Sequence, residues 1–241
     1  MPVAANNPYA RRREFVGAIV FAVTAWQLSL PTWAQETYVP LSEEPGHVPV
    51  LENDIVRAVY LVVPPGESTL YHEHTTDIAT VTLEGTDLEN QIWMQEPTVT
   101  QRNAGRVAFS GYAAEPYIHR VANVGDGTFR IVAVEIFPPP DPQFAGAAGR
   151  QAPFEQVLDN DRVSIWRIAL APSQSNALFR IGLPTVRIIQ TGGTLAERIN
   201  RGLLESRPAA QGDIQWLAAG DSVSISNVGQ SEVVIYDMEI K

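Results

Sequence analysis

The chain contains no cysteine, so no disulfide can stabilise it and its hydrophobic cores must suffice alone. Histidine is scarce too, at four in 241 residues, which confines imidazole chemistry to a few positions. Positive charge is outnumbered: 17 lysines and arginines face 27 aspartates and glutamates, giving a formal net charge of −10 and a pI near 4.8. Such a surface repels a phosphate backbone, so no nucleic-acid partner is expected. The apolar run from about Phe15 to Leu30 carries Gln27 and falls short of the roughly 20 residues a membrane span needs.

That run belongs to a leader. Arg11-Arg12-Arg13 precedes it and Pro31-Thr32-Trp33-Ala34 follows, and the small residues Thr32 and Ala34 suit signal-peptidase cleavage. Arg12-Arg13-Glu14-Phe15-Val16 also resembles the twin-arginine export signal, although Arg11 stands where that signal usually has Ser or Thr. Residues 1–34 are therefore expected to be a signal peptide and the protein to be periplasmic or secreted, with no membrane association after cleavage. Losing three arginines and Glu14 shifts the net charge from −10 to −12.

An N-terminal lead (35–48) is expected to be irregular. Beyond it the pattern is short β-branched and aromatic runs, such as Val56 to Val63, separated by turns at Pro64-Pro65-Gly66, Asn103-Ala104-Gly105 and Gly125-Asp126-Gly127. Many short strands at this spacing predict an all-β sandwich or barrel. Pro138-Pro139-Pro140-Asp141-Pro142 breaks the pattern, and residues 139–154 read as a linker.

A repeat follows. Val157-Leu158-Asp159-Asn160-Asp161 matches Val50-Leu51-Glu52-Asn53-Asp54 at an offset of 107, which also carries Gly85 onto Gly192; Asn227-Val228-Gly229 matches Asn123-Val124-Gly125 at 104. Two copies of one β unit are expected, at 49–138 and 155–241. The composition of Leu195 to Glu205 favours a short helical insertion.

His72 and His74 lie two residues apart in an extended stretch, a spacing that turns two imidazoles to one face, and imidazole is the commonest metal ligand. Gly66-x5-His72-x-His74 with Gly85, followed by Gly105 and Pro116-x2-His119-x3-Asn123, resembles the two motifs of the cupin superfamily. The resemblance covers 49–137 by both motifs and 155–241 by frame only. It implies an all-β fold of two double-stranded β-helix (jelly-roll) barrels, a bicupin, with His72, His74 and His119 binding one divalent metal. At the repeat offsets those histidines become Phe179, Ile181 and Val223, so the second barrel is expected to be degenerate and metal-free.

The family's carboxylate ligand falls here on Ile78. Asp77 sits one residue early, which on a regular strand turns its side chain to the opposite face unless a β-bulge restores it. Tyr117 shares strand parity with His119, while the inward face of the strand holding Gln91, Trp93 and Met94 is open. Asn123 is assigned to a turn, and His47, lacking metal-type spacing, to solvent.

The resemblance implies a small-molecule substrate and leaves three functions: a three-histidine dioxygenase-type oxidoreductase, favoured; a non-redox isomerase or lyase with Asp77 or Tyr117 as base; and a non-catalytic small-molecule or metal-binding protein. Protein folded before twin-arginine export acquires its metal in the cytoplasm, where iron and manganese outcompete scarce copper and zinc, so Fe2+ is expected first and Mn2+ second. A homodimer is compatible with the sequence.

Overall fold

Val56-Arg-Ala-Val-Tyr-Leu-Val-Val63 shows how the chain is built. Val56, Ala58 and Tyr60 pack into one apolar cluster, while Val59, Leu61 and Val63 enter others on the opposite side. A strand buried on both faces needs apolar residues at nearly every position, so it reads as a continuous run instead of an alternation. The computed structural model describes residues 37–137 and 150–241. The expected leader (1–34) and most of the expected 139–154 linker lie outside the described residues.

The first half contributes ten strands: β1 (Val39–Pro40), β2 (His47–Glu52), β3 (Val56–Val63), β4 (His72–His74), β5 (Asp77–Glu84), β6 (Asp87–Ile92), β7 (Thr98–Gln101), β8 (Val107–Ser110), β9 (Tyr117–Asn123) and β10 (Phe129–Ile136). They form two sheets, ordered β1-β4-β9-β6-β7 and β2-β3-β10-β5-β8. The second half contributes β11 (Phe154–Asp159), β12 (Val163–Leu170), β13 (Phe179–Arg180), β14 (Thr185–Thr191), β15 (Gly193–Ile199), β16 (Glu205–Ala209), β17 (Ile214–Leu217), β18 (Ser222–Asn227) and β19 (Val233–Ile240). Its sheets run β11-β12-β19-β14-β17 and β13-β18-β15-β16. Apart from β1, each strand of one half has a counterpart at the same place in the other, so the fold is all-β with two jelly-roll barrels.

The repeat is visible in its turns. Asn123 Nδ2 donates to the carbonyls of Val63 and Gly127, and its Oδ1 accepts from Gly125 N. Asn227 makes the same three bonds with Leu170, Ser231 and Gly229. Gly85 and Gly192 are also equivalent: a Cβ would stand 2.0 Å from the Arg102 carbonyl oxygen at the first and 2.6 Å from that of Ala209 at the second, and only glycine allows so close an approach.

The two halves meet through the sheets containing β3 and β12. Val56, Ala79, Val81, Val132 and Val134 share one core cluster with Val163, Ile165, Val186, Ile188 and Met238. The opposite face of each of these sheets lines its own barrel interior.

Two local expectations are overturned. The lead is part of the first barrel: Val39 pairs with His72, Leu41 is buried, and β2 begins at His47. Residues 195–205 form no helix; Leu195 to Ile199 lie in β15, paired with β16 and β18. Helix propensity is a weak prior, and two flanking strands with a buried Leu195 outweigh it.

Candidate metal centre

Three of the four histidines converge inside the first barrel. His72 and His74, two apart on β4, point the same way, and His72 lies opposite His119 of β9 in antiparallel register. One ligand nitrogen from each falls within 4.8 Å of the others. His74 Nε2 and His119 Nε2 are 3.0 Å apart. Two cis nitrogens, each about 2.1 Å from one ion, are separated by about 3.0 Å at a right angle, so the donor set fits a divalent metal.

Hydrogen bonds fix the tautomers. His72 Nδ1 is 2.9 Å from the Leu70 carbonyl oxygen and His119 Nδ1 is 2.6 Å from Asn90 Oδ1. Both partners only accept, so each Nδ1 carries the proton and each Nε2 keeps its lone pair for a metal. Asn90 is oriented in turn because its Nδ2 donates to the Tyr117 hydroxyl at 2.9 Å.

Burial holds the imidazoles neutral. Desolvation first, and the neighbouring imidazoles second, lower His72 to about 4 and His74 to about 3, and push His119 well below its usual value. At neutral pH none of the three imidazoles has a net positive charge to lose before metal binds. The cost appears in the metal-free protein. Below about pH 6.5 the unfolded chain protonates these histidines and the folded one does not, so stability falls with pH by about 1.4 kcal/mol per unit for each affected group. Urea denaturation of metal-free protein should therefore show stability falling steeply from about pH 6.5 towards 4; a flat profile would show that the imidazoles are solvated.

The histidines open into a cavity of about 310 Å³. Its floor includes Ile78, Phe129 and Ala133, and Tyr112 and Arg102 stand on its wall. Tyr112 stacks parallel on Tyr117 with ring centroids 4.9 Å apart and lies 5.1 Å from His74.

The residues expected around the metal divide. Tyr117 is adjacent, its ring 4.8 Å from that of His119, but its hydroxyl is engaged by Asn90, so it acts on the site by positioning. Asp77 is not brought to the histidines. Ile78 faces the cavity, and Asp77 has the parity of Ala79 and Val81, which face the second half. There Asp77 Oδ2 accepts from Arg162 Nε at 2.7 Å and Oδ1 from Ala113 N at 3.1 Å. No bulge precedes it to restore the inward direction. On β6, Leu88 and Asn90 face inward. Gln91 instead bonds Arg120, Trp93 packs on Tyr38 and Tyr71, and Met94 is 89% exposed.

His47 corrects the sequence reading most. It is 8% exposed, lines the same cavity, and meets the His72 ring at a tilt with centroids 4.7 Å apart. Asn90, Arg102, Tyr112 and Glu44 likewise escaped the sequence. Only strand parity could have flagged Asn90, and β6 carries polar residues on both faces; Arg102 lies one residue beyond β7.

Among the solved structures that resemble the chain are three cupin-fold proteins. A salicylate 1,2-dioxygenase from Pseudaminobacter salicylatoxidans has TM-score 0.55 and 9% identity over 80% of this chain and 75% of its own. An oxalate decarboxylase variant from Bacillus subtilis has TM-score 0.55 and 9% identity over 80% and 71%. A cupin 2 conserved barrel domain protein from Leptotrichia buccalis has TM-score 0.51 and 6% identity over 81% and 88%. The fold is the cupin jelly roll. No protein-family model matches the chain, and no curated protein matches it in sequence. At such identities the likeness concerns architecture alone, and chemistry has to be argued from the site. In the second barrel of this cupin fold, Phe179 faces Val223 at the register where His72 faces His119, and Ile181 is buried beside them.

Proposed function

We propose that this chain is an exported, metal-dependent oxidoreductase of the dioxygenase type, acting on a small chelating molecule that carries a negative charge. The observation that supports it is a group of three neutral imidazoles, with no carboxylate among them, at the wall of an open cavity. Iron(II), the favoured metal, with manganese(II) next, would supply Lewis acidity and one-electron redox chemistry when held by His72, His74 and His119. The basic-then-apolar pattern of residues 11–34 supports a periplasmic or secreted location.

The chain's own groups suit such a substrate. Arg102 lines the cavity with the histidines and, among the described residues, makes no ion pair or side-chain hydrogen bond. Burial, followed by the nearby Arg106, lowers its pKa from the usual guanidinium value. A cation desolvated without a counter-ion is stabilised by an anion that enters beside it, and a carboxylate fits its fork of donors. Ile78, Phe129 and Ala133 give the rest of the molecule an apolar wall that excludes water. The net charge of −10 opposes steering of anions from a distance, so Arg102 contributes selectivity at contact range. The isomerase or lyase reading is weakened because Asp77, one of its bases, faces Arg162 instead.

Iron(II)-loaded protein should consume one dioxygen per substrate converted when offered a panel of catechols, hydroxy acids and diketones, with the anionic members preferred. Arg102→Gln should raise KM for those members roughly 10- to 100-fold, as loss of a charge-assisted hydrogen bond implies, with a smaller change in kcat. Conversion without dioxygen uptake would establish the non-redox reading, and tight binding without conversion the non-catalytic one.

A further inference from the structure

We propose that His47 is a fourth imidazole ligand of the metal centre, delivered from β2 and oriented by Glu44. The proposal rests on reading His72, His74 and His119 as metal ligands. His47 is 25 residues from His72 in sequence, but β2 lies beside β3 with His47 opposite Leu61, and both His47 and Leu61 line the cavity. Its ring meets that of His72 at a centroid distance of 4.7 Å and an angle of 57°. The ring of His119 meets His72 at 4.6 Å and 58°. His47 thus meets His72 at nearly the ring distance and tilt that His119 has, while its own ligand atoms stand outside the 4.8 Å group formed by the other three.

The hydrogen bonds of His47 follow the pattern of a ligand. Its Nδ1 is 2.7 Å from Glu44 Oε2, and the carboxylate, which only accepts when ionised, keeps the proton on Nδ1. Glu44 is held below its ordinary pKa despite burial, by His47 and by the backbone N–H groups of Leu70 and Gly46. Its Oε1 accepts from Leu70 N at 3.0 Å and its Oε2 from Gly46 N at 2.7 Å. The carbonyl of the same Leu70 fixes His72, so one backbone unit orients both rings. Nε2 of His47 makes no hydrogen bond among the described residues. A buried imidazole with Nδ1 tied to a carboxylate and Nε2 left free is the carboxylate–histidine arrangement that raises a ligand's basicity.

The arrangement also resolves a chemical gap. Ile78 occupies the place where a carboxylate ligand was expected, which leaves the three imidazoles without an anion. Glu44 supplies negative charge one bond removed, through His47. A fourth imidazole would leave two positions open in an octahedral shell, enough for a bidentate substrate.

Zinc(II), diamagnetic and four-coordinate by preference, is the probe. The intact chain has only four histidines, so long-range proton–nitrogen spectra of nitrogen-15-labelled protein resolve every imidazole during a zinc titration. All four rings are expected to show one nitrogen shifting to the metal-bound position with the proton retained on the other. His47→Gln should remove one such signal and weaken zinc binding at least tenfold, and Glu44→Gln should weaken it less while leaving four rings bound. If three rings respond and both nitrogens of His47 stay where they are in metal-free protein, His47 is no ligand and the three-histidine centre stands. If no ring responds, the metal-centre reading fails as well. Should His47→Gln not fold, the wild-type titration decides by itself.

Discussion

Replacing His74 with alanine is expected to strip the metal from the protein while leaving the barrel folded. His74 is buried with its Nε2 3.0 Å from that of His119, so its loss removes one of the three clustered donor nitrogens. Affinity should fall by more than about 100-fold, beyond the effect typical of a supporting residue. The fold should persist because the barrel has apolar clusters of its own, Leu41, Val59, Ile78 and Ala133 on one side of the cavity and Leu61, Val63, Leu88 and Phe129 on another. Elemental analysis should give one ion per wild-type chain and below about a tenth of that for the variant, with a near-unchanged far-ultraviolet spectrum. Close to two ions per wild-type chain would contradict the assignment, since Phe179, Ile181 and Val223 cannot coordinate. Unfolding of the variant would make the site structural.

Arg187→Ala should produce the largest loss of stability. Arg187 is 1% exposed and donates to both carboxylate oxygens of Asp237, at 2.7 and 2.8 Å, and to Glu197 Oε1 at 2.5 Å. Arg150 adds an ion pair to Asp237 and one to Glu239. Burial alone would raise the pKa of Asp237, but Arg187 and Arg150 reverse this and hold it at about 2. Removing Arg187 leaves Asp237 and Glu197 buried with less compensation, which typically costs about 3–5 kcal/mol. For a chain of this size that corresponds to a fall in Tm of roughly 6–20 °C. A loss below about 1 kcal/mol would show that water or a neighbour relieves the carboxylates. Metal content should stay at one ion per chain, because the network lies in the second half and the histidines in the first.

The same network shows why the second barrel was only partly legible. Its apolar replacements for the ligands follow from the repeat offsets, and Phe179 does face Val223. The pairing of Arg187 with Asp237 joins β14 to β19 across 50 residues, and no local pattern marks either residue as buried.

Asp77 and His47 separate the two sources of information. Strand periodicity already turned Asp77 away from the histidines, and the structure adds what receives it: Arg162, from the other half of the chain. For His47 the sequence offered no signal, because its place depends on β2 lying against β3 and on the depth of the cavity behind it. By itself the sequence determined the β class, the duplication and the shared face of His72 and His74, since these rest on periods of two and on matching offsets, while the cupin resemblance added His119. Only the tertiary structure decided that His47, Asn90, Arg102 and Tyr112 share the cavity and that Arg162 receives Asp77, because burial and proximity across strands are set by which sheets stack. That stacking is a collective consequence of the apolar faces and is not encoded at any one position.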